Sequence, residues 1–432
     1  MDTQAIASIP SIQRQAASLL LYQSVRDGAV GQAFLELLQA VRQSDEDGMS
    51  CLKAYGRWFQ ALAERNQSWQ DYLLTQILRA DNPFTRQAQR VELQALPPVL
   101  IAAAQHDLQA LQSLYQCSGD QVSHWVQTAS HLPVPPVVWE QTAVAPTQEW
   151  SVRERLQKQE RWADVLPDLA AYYGRFGTGL FAEYRALRWR SGKLEGISHP
   201  DPVQLTELVA YESQRETLLK NTEFLLAGYP ALHVLLYGSR GSGKSSLVKA
   251  LLPQYGDRGL RLIEVAKSDL KDLPAIVDLL REVPQKFILF VDDLSFEEDD
   301  DAFKALKVVL EGNLTARPQN VVVYATSNRR HLIREFFGDR SRPSDDEVHA
   351  WDTVQEKLSF SDRFGLTLTF EPADQNTYLA MVRHLASQAR ITISPEDLEF
   401  QALQWATQHN GRSGRTARQF VDFLRADLAI SL

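Results

Sequence analysis

Residues Gly238 to Ser245 read Gly-Ser-Arg-Gly-Ser-Gly-Lys-Ser, a Gly-x-x-x-x-Gly-Lys-Ser spacing with a third glycine inside it. Glycines here let the backbone turn successive N–H groups toward one point, which makes a concave cradle for an anion. Apolar residues Val234-Leu235-Leu236 precede the run and Leu247-Val248 follow it. That context predicts a strand, a tight turn and a helix whose positive end adds to the cradle. In such a loop Gly238, Ser239, Arg240, Gly241, Ser242, Gly243, Lys244, Ser245 and Ser246 surround a phosphate chain. The ammonium of Lys244 reaches the outer phosphates and the hydroxyl of Ser245 ligates Mg²⁺. A flexible Gly/Ser linker, the plainer alternative, has no reason to sit between two apolar runs. Pro253 is expected to stop the helix.

Phosphate chemistry also needs an acid on the metal's side. Phe287-Ile288-Leu289-Phe290-Val291 is an apolar strand ending in Asp292 and Asp293. Open α/β sheets bind ligands at that carboxyl edge. Asp292 is the candidate for the Mg²⁺ shell, and Asp293 for orienting or deprotonating an attacking water. Capping of the next helix is the alternative for the pair. Glu297, in the acidic run Glu297-Glu298-Asp299-Asp300-Asp301, competes for the water role. A third strand, Asn320 to Ala325, runs into Thr326-Ser327-Asn328. The amide of Asn328 can touch the same water or the γ-phosphate, although asparagine after a strand is also an ordinary turn residue. Arg363 stands just before the strand Phe364 to Phe370. It is either an ion-pair partner or an arginine that projects to a neighbouring subunit's nucleotide and stabilises the transferred phosphoryl group. Gly411-Arg412-Ser413-Gly414-Arg415-Thr416-Ala417-Arg418 opens the last helix. Its arginines are either a basic surface helix start, which the dipole disfavours, or groups that reach back to a bound nucleotide and report its state to the lid.

These residues need a frame. From about Val203 onward, short apolar runs alternate with helical runs, which predicts a parallel sheet covered by helices. The expected strands are His233–Tyr237, Leu260–Val265, Phe287–Val291, Asn320–Ala325 and Phe364–Phe370. The expected fold is thus an α/β core with a parallel five-stranded sheet and a C-terminal helical lid at Gln375–Gln388, Pro395–Gln408 and Gly414–Leu428. The first third is helical by its three- and four-residue apolar spacing, as in Trp69–Leu78. Prolines at Pro133, Pro135, Pro136 and Pro146 mark an edge. The expected domains are a helical N-terminal region 1–135, a linker and helical connector 136–202, the nucleotide-binding core 203–371 and the lid 372–432.

A chain of 432 residues exceeds one ordinary core. Its net charge of −9 gives no general attraction to nucleic acid, so such a role needs a local basic patch. Val91 to Val152 holds no Lys or Arg. Basic residues return as Arg153, Arg155, Lys158 and Arg161, and as Arg185, Arg188, Arg190 and Lys193. They are either solvated faces or a contact surface for a phosphate backbone or protein. Cys51 and Cys117 lack metal-ligand spacing and read as buried apolar residues of a reducing compartment. With no apolar run long enough to span a membrane, membrane insertion is not expected and a cytoplasmic location is.

The ordered motifs resemble those of the AAA+ ATPases over Val203 to Leu432. The resemblance implies a Walker A loop at Gly238 to Ser245, a Walker B acid at Asp292 with Asp293, sensor 1 at Asn328, an arginine finger at Arg363 and sensor 2 at Arg415. It also implies a segment packing on adenine, matched by Leu208-Val209-Ala210-Tyr211-Glu212, with Tyr211 either against the base or in the core. The strings Phe-Val-Asp-Asp-Leu-Ser-Phe-Glu, Ala-Thr-Ser-Asn-Arg-Arg-His-Leu and Leu-Ser-Phe-Ser-Asp-Arg-Phe-Gly resemble an uncharacterised bacterial AAA+ family, a domain of unknown function with no assigned substrate. The AAA+ resemblance implies an ATP- and Mg-dependent hydrolase, a homo-oligomeric ring or arc that remodels an unidentified protein or nucleic acid. The Asp-Asp pair, where many AAA+ proteins carry Asp-Glu, keeps open a slow nucleotide-gated switch or loader linked to DNA replication or repair. A P-loop kinase is a third alternative.

Overall fold

The computed structural model of the chain describes residues 8–43, 45, 47–140, 150–295, 301–311, 317–328, 363–409 and 411–430. The chain forms two compact units, Met1–Glu183 and Tyr184–Leu432.

The first unit is helical. Helix Ala29–Arg42 buries Phe34, Leu37 and Leu38 at helical spacing. Helix Trp69–Leu78 starts where the Ser68 hydroxyl accepts from Asp71 N at 3.1 Å. Phe34 stacks on Trp69 with ring centroids 4.0 Å apart, and the edge of Trp58 closes on the same ring. The fully buried Asp107 carboxylate accepts the backbone N–H groups of Leu20, Leu21 and Tyr22 at 2.9, 2.7 and 3.0 Å. These charge-assisted bonds offset the cost of burying the acid. Cys51 and Cys117 are buried free thiols, as expected from the sequence. Helices Trp150–Lys158 and Leu166–Phe176 place Leu156, Leu169 and Tyr173 in the same core.

The second unit is built on a seven-stranded sheet. Its strands are β1 (Ala186–Arg190), β2 (Lys193–Gly196), β3 (Val234–Gly238), β4 (Leu260–Val265), β5 (Lys286–Val291), β6 (Val321–Ser327) and β7 (Leu366–Phe370). They lie in the order β2-β1-β4-β5-β6-β3-β7. All neighbours are parallel except β1 and β2. Strands β3, β5 and β6 are almost wholly apolar because helices cover both faces. The α/β core with a helical lid and a helical N-terminal region is present as the sequence implies.

Two expectations are corrected. The sheet has seven strands, not five, because residues 186–196 form a hairpin that joins β4 at the edge. Ser191 and Gly192 both have positive φ, which makes the tight turn between β1 and β2. Pro253 does not end the loop helix. The break falls at Ala250, between Lys244–Lys249 and Leu251–Tyr255, and Pro253 sits in the first turn of the second piece, where its missing N–H has no partner to lose. The basic runs are largely balanced by acids. Arg185 pairs with Asp257, Arg188 with Glu264, Arg155 with Asp168 and Lys158 with Glu154. Within the expected connector 136–202, residues 152–173 contribute to the first unit's helical core and residues 186–196 form the edge of the sheet, while 141–149 lie outside the described residues.

The lid is Gln375–Gln388, Pro395–Gln408 and Gly414–Ile430, with its own core of Tyr378, Val382, Ala402, Ala417 and Phe420. The strap of residues 203–211 ties it to the core. Thr206 O accepts from Gln388 Nε2 at 3.0 Å and lies 2.6 Å from His384 Nε2. Glu207 forms an ion pair with Arg418. Ala210 and Tyr211 both have positive φ, a strained turn at the strap's end.

His233, at the entrance to β3, makes the sheet's stability depend on pH. Its Nδ1 accepts from Val323 N at 2.9 Å, and its carbonyl accepts from Leu366 N at 3.1 Å. Burial, with help from the Arg317 charge, pulls its pKa from 6.5 down to about 3. The unfolded chain takes up this proton near pH 6.5 and the folded chain only near pH 3. Stability conferred by neutral His233 is therefore present above pH 6.5 and lost as pH falls toward 3, by about 1.4 kcal/mol per pH unit. Denaturant midpoints measured from pH 7 to pH 4.5 should fall less steeply for His233→Asn, which cannot titrate. Equal slopes would contradict this assignment.

Candidate functional site

The phosphate-loop signature lies between the end of β3 and the helix Lys244–Lys249. Gly238 has φ +141°, and a Cβ there would come within 1.9 Å of Phe370 O, so no other residue fits. Gly241 has φ +74°, and a Cβ there would meet Ser413 Oγ at 2.8 Å. That close approach lets Arg415 N donate to Gly241 O at 3.1 Å, bringing the lid onto the loop.

A cavity of about 830 Å³ opens at the carboxyl edge of the sheet, between the loop, the strap and the lid. Residues 240–246, Tyr211, Asp292, Asp293, Asn328 and Arg415 line it. Gly238 and Ser239 lie behind the lining and shape the turn. Arg363 does not line it. It is mostly buried and ion-paired with Glu311 at the end of helix Asp301–Glu311. Glu297 lies outside the described residues.

Lys244 is buried, with Nζ 2.7 Å from Ser239 O, 3.0 Å from Gly238 O and 3.3 Å from Asn328 Oδ1. Burial lowers its pKa; Asp292 and Asp293 push it back up, and Arg415 adds a further lowering. Asn328 Nδ2 donates to Asp293 Oδ1 at 2.7 Å, so its amide is oriented at both ends. Ser245 Oγ donates to Asp292 Oδ1 at 2.6 Å. Thr326 Oγ1 donates to the same oxygen at 2.5 Å and accepts from Asp293 N at 3.0 Å. The structure thus brings together the loop lysine, the loop serine, both acids and the asparagine.

Tyr211 lines the cavity, yet its ring packs 5.0 Å from Phe370 and belongs to both the core and the lid clusters. Its hydroxyl donates to Glu371 O at 2.5 Å. Arg418, in the arginine-bearing stretch that opens the last helix, faces the cavity paired with Glu207; sequence reasoning missed Glu207 and the role of Thr326. For Thr326 a signal existed, since strand alternation puts positions 326 and 328 on one side.

The donor set suits Mg²⁺. Ser245 and Asp292 offer hard oxygens within 2.6 Å of each other. Magnesium is commonly held by one or two carboxylates together with substrate phosphates rather than by an all-protein cage. Among the described residues no cluster of three or more His, Cys, Asp or Glu forms such a cage. Nor is any helix among them long and apolar enough to cross a membrane.

The model of the family described as "Protein of unknown function (DUF815)" matches residues 182–428, more than half of the chain. The chain belongs to this family. Every cavity residue named above, the strap, Arg363 and most of the lid fall within the DUF815 match, and almost all of the first unit falls outside it. No curated protein matches the sequence. Among solved structures, the chain is similar to the RuvB Holliday junction branch migration motor of Thermotoga maritima, with 16% identity and a TM-score of 0.37. That match covers 53% of this chain and 66% of RuvB. The AMPPCP-bound DnaA from Aquifex aeolicus is similar at 14% identity and a TM-score of 0.36, over 53% of this chain and 67% of that one.

Proposed function

We propose that this DUF815 chain binds ATP with Mg²⁺ and hydrolyses it, and that turnover moves the lid against the core to remodel a partner. The observation that carries the reading is the joining of Lys244, Asn328 and Asp293 in one hydrogen-bonded row beside Ser245 and Asp292, along a nucleotide-sized cavity. Lys244 holds the outer phosphates. Ser245 and Asp292 hold Mg²⁺, which when bound screens charge between the phosphate oxygens. Asp293 orients the attacking water, and Asn328 fixes Asp293. Tyr211 stands at the base end and Arg415 reports phosphate occupancy to the lid.

Arg363 completes the site of a neighbouring copy in a head-to-tail ring or arc. Its place outside its own chain's cavity supports that role, with Glu311 as its partner in the isolated chain. The balanced basic runs favour a protein partner over a phosphate backbone.

A slower, switch-like reading has its own support. Lys244 is engaged by its own loop's carbonyls and Ser245 by Asp292, so a nucleotide must displace existing bonds to enter. One experiment addresses both readings. Titrate the full chain with a fluorescent ATP analogue with and without Mg²⁺, then follow phosphate release. Magnesium-enhanced binding with steady release supports the motor, and tight binding with release only on adding partner supports the switch. Absence of binding at about 1 mM, the upper range of ordinary enzyme affinities, would overturn both.

A further inference from the structure

We infer that Thr326 is a positioning residue that sets Asp292 for the metal and Asp293 for the water. The inference rests on the Mg–ATP reading of the site. Thr326 is 2% exposed at the carboxyl end of β6, next to β5 in the sheet. It holds the acidic turn at three consecutive residues. Its hydroxyl donates to Asp292 Oδ1 at 2.5 Å, the same hydroxyl accepts from Asp293 N at 3.0 Å, and its carbonyl accepts from Leu294 N at 2.7 Å.

A hydroxyl has one proton and two lone pairs. Asp293 N–H can only donate, so the Thr326 proton goes to Asp292, and the assignment is forced. The turn so held is unusual. Asp293 has φ +52°, the left-handed region that a residue with a side chain enters at a cost. Thr326 offsets that cost and fixes the direction in which the Asp293 carboxylate leaves the backbone. Asn328 Nδ2, two residues further on, then meets that carboxylate at 2.7 Å. On Asp292, Thr326 and Ser245 share a single oxygen. A fixed donor from Thr326 keeps that carboxylate in place when Ser245 turns its oxygen toward a metal. Thr326 touches neither nucleotide nor water in this scheme and acts only through the two acids.

The hydroxyl is separated from bulk and fold by comparing Thr326→Val, which keeps the branched shape, with Thr326→Ser, which keeps the donor. Two quantities are read on each full-length protein: the Mg²⁺ concentration needed for fluorescent-ATP binding, and the split of turnover between kcat and KM. Binding in EDTA and thermal unfolding serve as fold controls. Thr326→Val should lose about 10- to 100-fold in Mg²⁺ affinity or in kcat, the scale for outer partners of metal ligands, with EDTA binding and KM unchanged. Thr326→Ser should restore both. If Thr326→Val does not fold, Thr326→Ala against Thr326→Ser isolates the same hydroxyl. Equal Mg²⁺ dependence and equal kcat with and without the hydroxyl overturn the inference. If the wild type binds nucleotide, Lys244→Ala does not, and Thr326→Val matches the wild type, this inference alone fails. If the wild type binds no nucleotide, the ATPase reading fails and takes this inference with it.

Discussion

Lys244→Ala is expected to remove nucleotide turnover while leaving the fold intact. The loop itself places this ammonium 3.3 Å from Asn328 Oδ1 and within the field of both acids. Removing one donor from a charge-stabilising site commonly costs about 10²- to 10³-fold in rate. Because Lys244 also holds phosphate in the ground state, affinity for the fluorescent ATP analogue should fall as well. The melting temperature without nucleotide should not fall. Burial disfavours the charged form of Lys244 in the folded chain, and relief of that cost offsets the loss of its bonds to Gly238 O and Ser239 O. The nucleotide-induced rise in melting temperature seen for the wild type should vanish in the variant. A variant that keeps both turnover and that rise would remove the basis of the functional proposal.

Asp293→Asn should separate binding from hydrolysis. Asparagine tolerates the left-handed backbone at φ +52°, and its amide oxygen can still accept from Asn328. The cavity is therefore preserved and the negative charge alone is lost. ATP affinity should persist while phosphate release drops by about 10²- to 10⁴-fold, the usual worth of a general base. Such a stalled protein is also the right bait for a partner. Arg363→Ala, made in parallel, should lose about 10³-fold or more if it supplies the finger. Mixing the two inactive variants then tests where the finger acts. A site shared between copies regains activity in the mixture, because some interfaces pair an intact Asp293 with an intact Arg363. No recovery at any ratio, with assembly verified, would confine Arg363 to its ion pair with Glu311.

The frame of the site was legible because its signals are local. Helix Trp69–Leu78 and the lid helices Gln375–Gln388 and Pro395–Gln408 have the bounds their apolar spacing implies. Strand β4 matches as well, and the other four expected strands shift at their ends by one or two residues. Phosphate-loop glycines announce a backbone need that no other residue meets. What stayed hidden depends on distant pairing. Arg185 to Lys193 looked like a basic patch because the acids that balance Arg185 and Arg188 lie about 70 residues later in the sequence, at Asp257 and Glu264. The turn at Ser191-Gly192, flanked by Leu187, Trp189 and Leu194, was the overlooked hairpin signal. Asp107 is hard to read from sequence, since the three backbone groups it accepts from lie some 85 positions away and its local partner is His106. Thr326 is masked in the sequence by Asn328, whose amide is the more conspicuous polar group at that strand end.

The strap has a mechanical consequence. The lid is fastened to the core by the covalent passage from Phe370 to Asp374, by the grip of His384, Gln388 and Arg418 on residues 206 and 207, and by the Arg415 N–H on Gly241 O of the loop. Were the loop bond to Gly241 O to release, a body pinned at the other two places would keep one soft rotation, about the line through them, and resist the others. Because the grip at Thr206 takes a carbonyl and not a side chain, that axle tolerates drift in the residue it runs through.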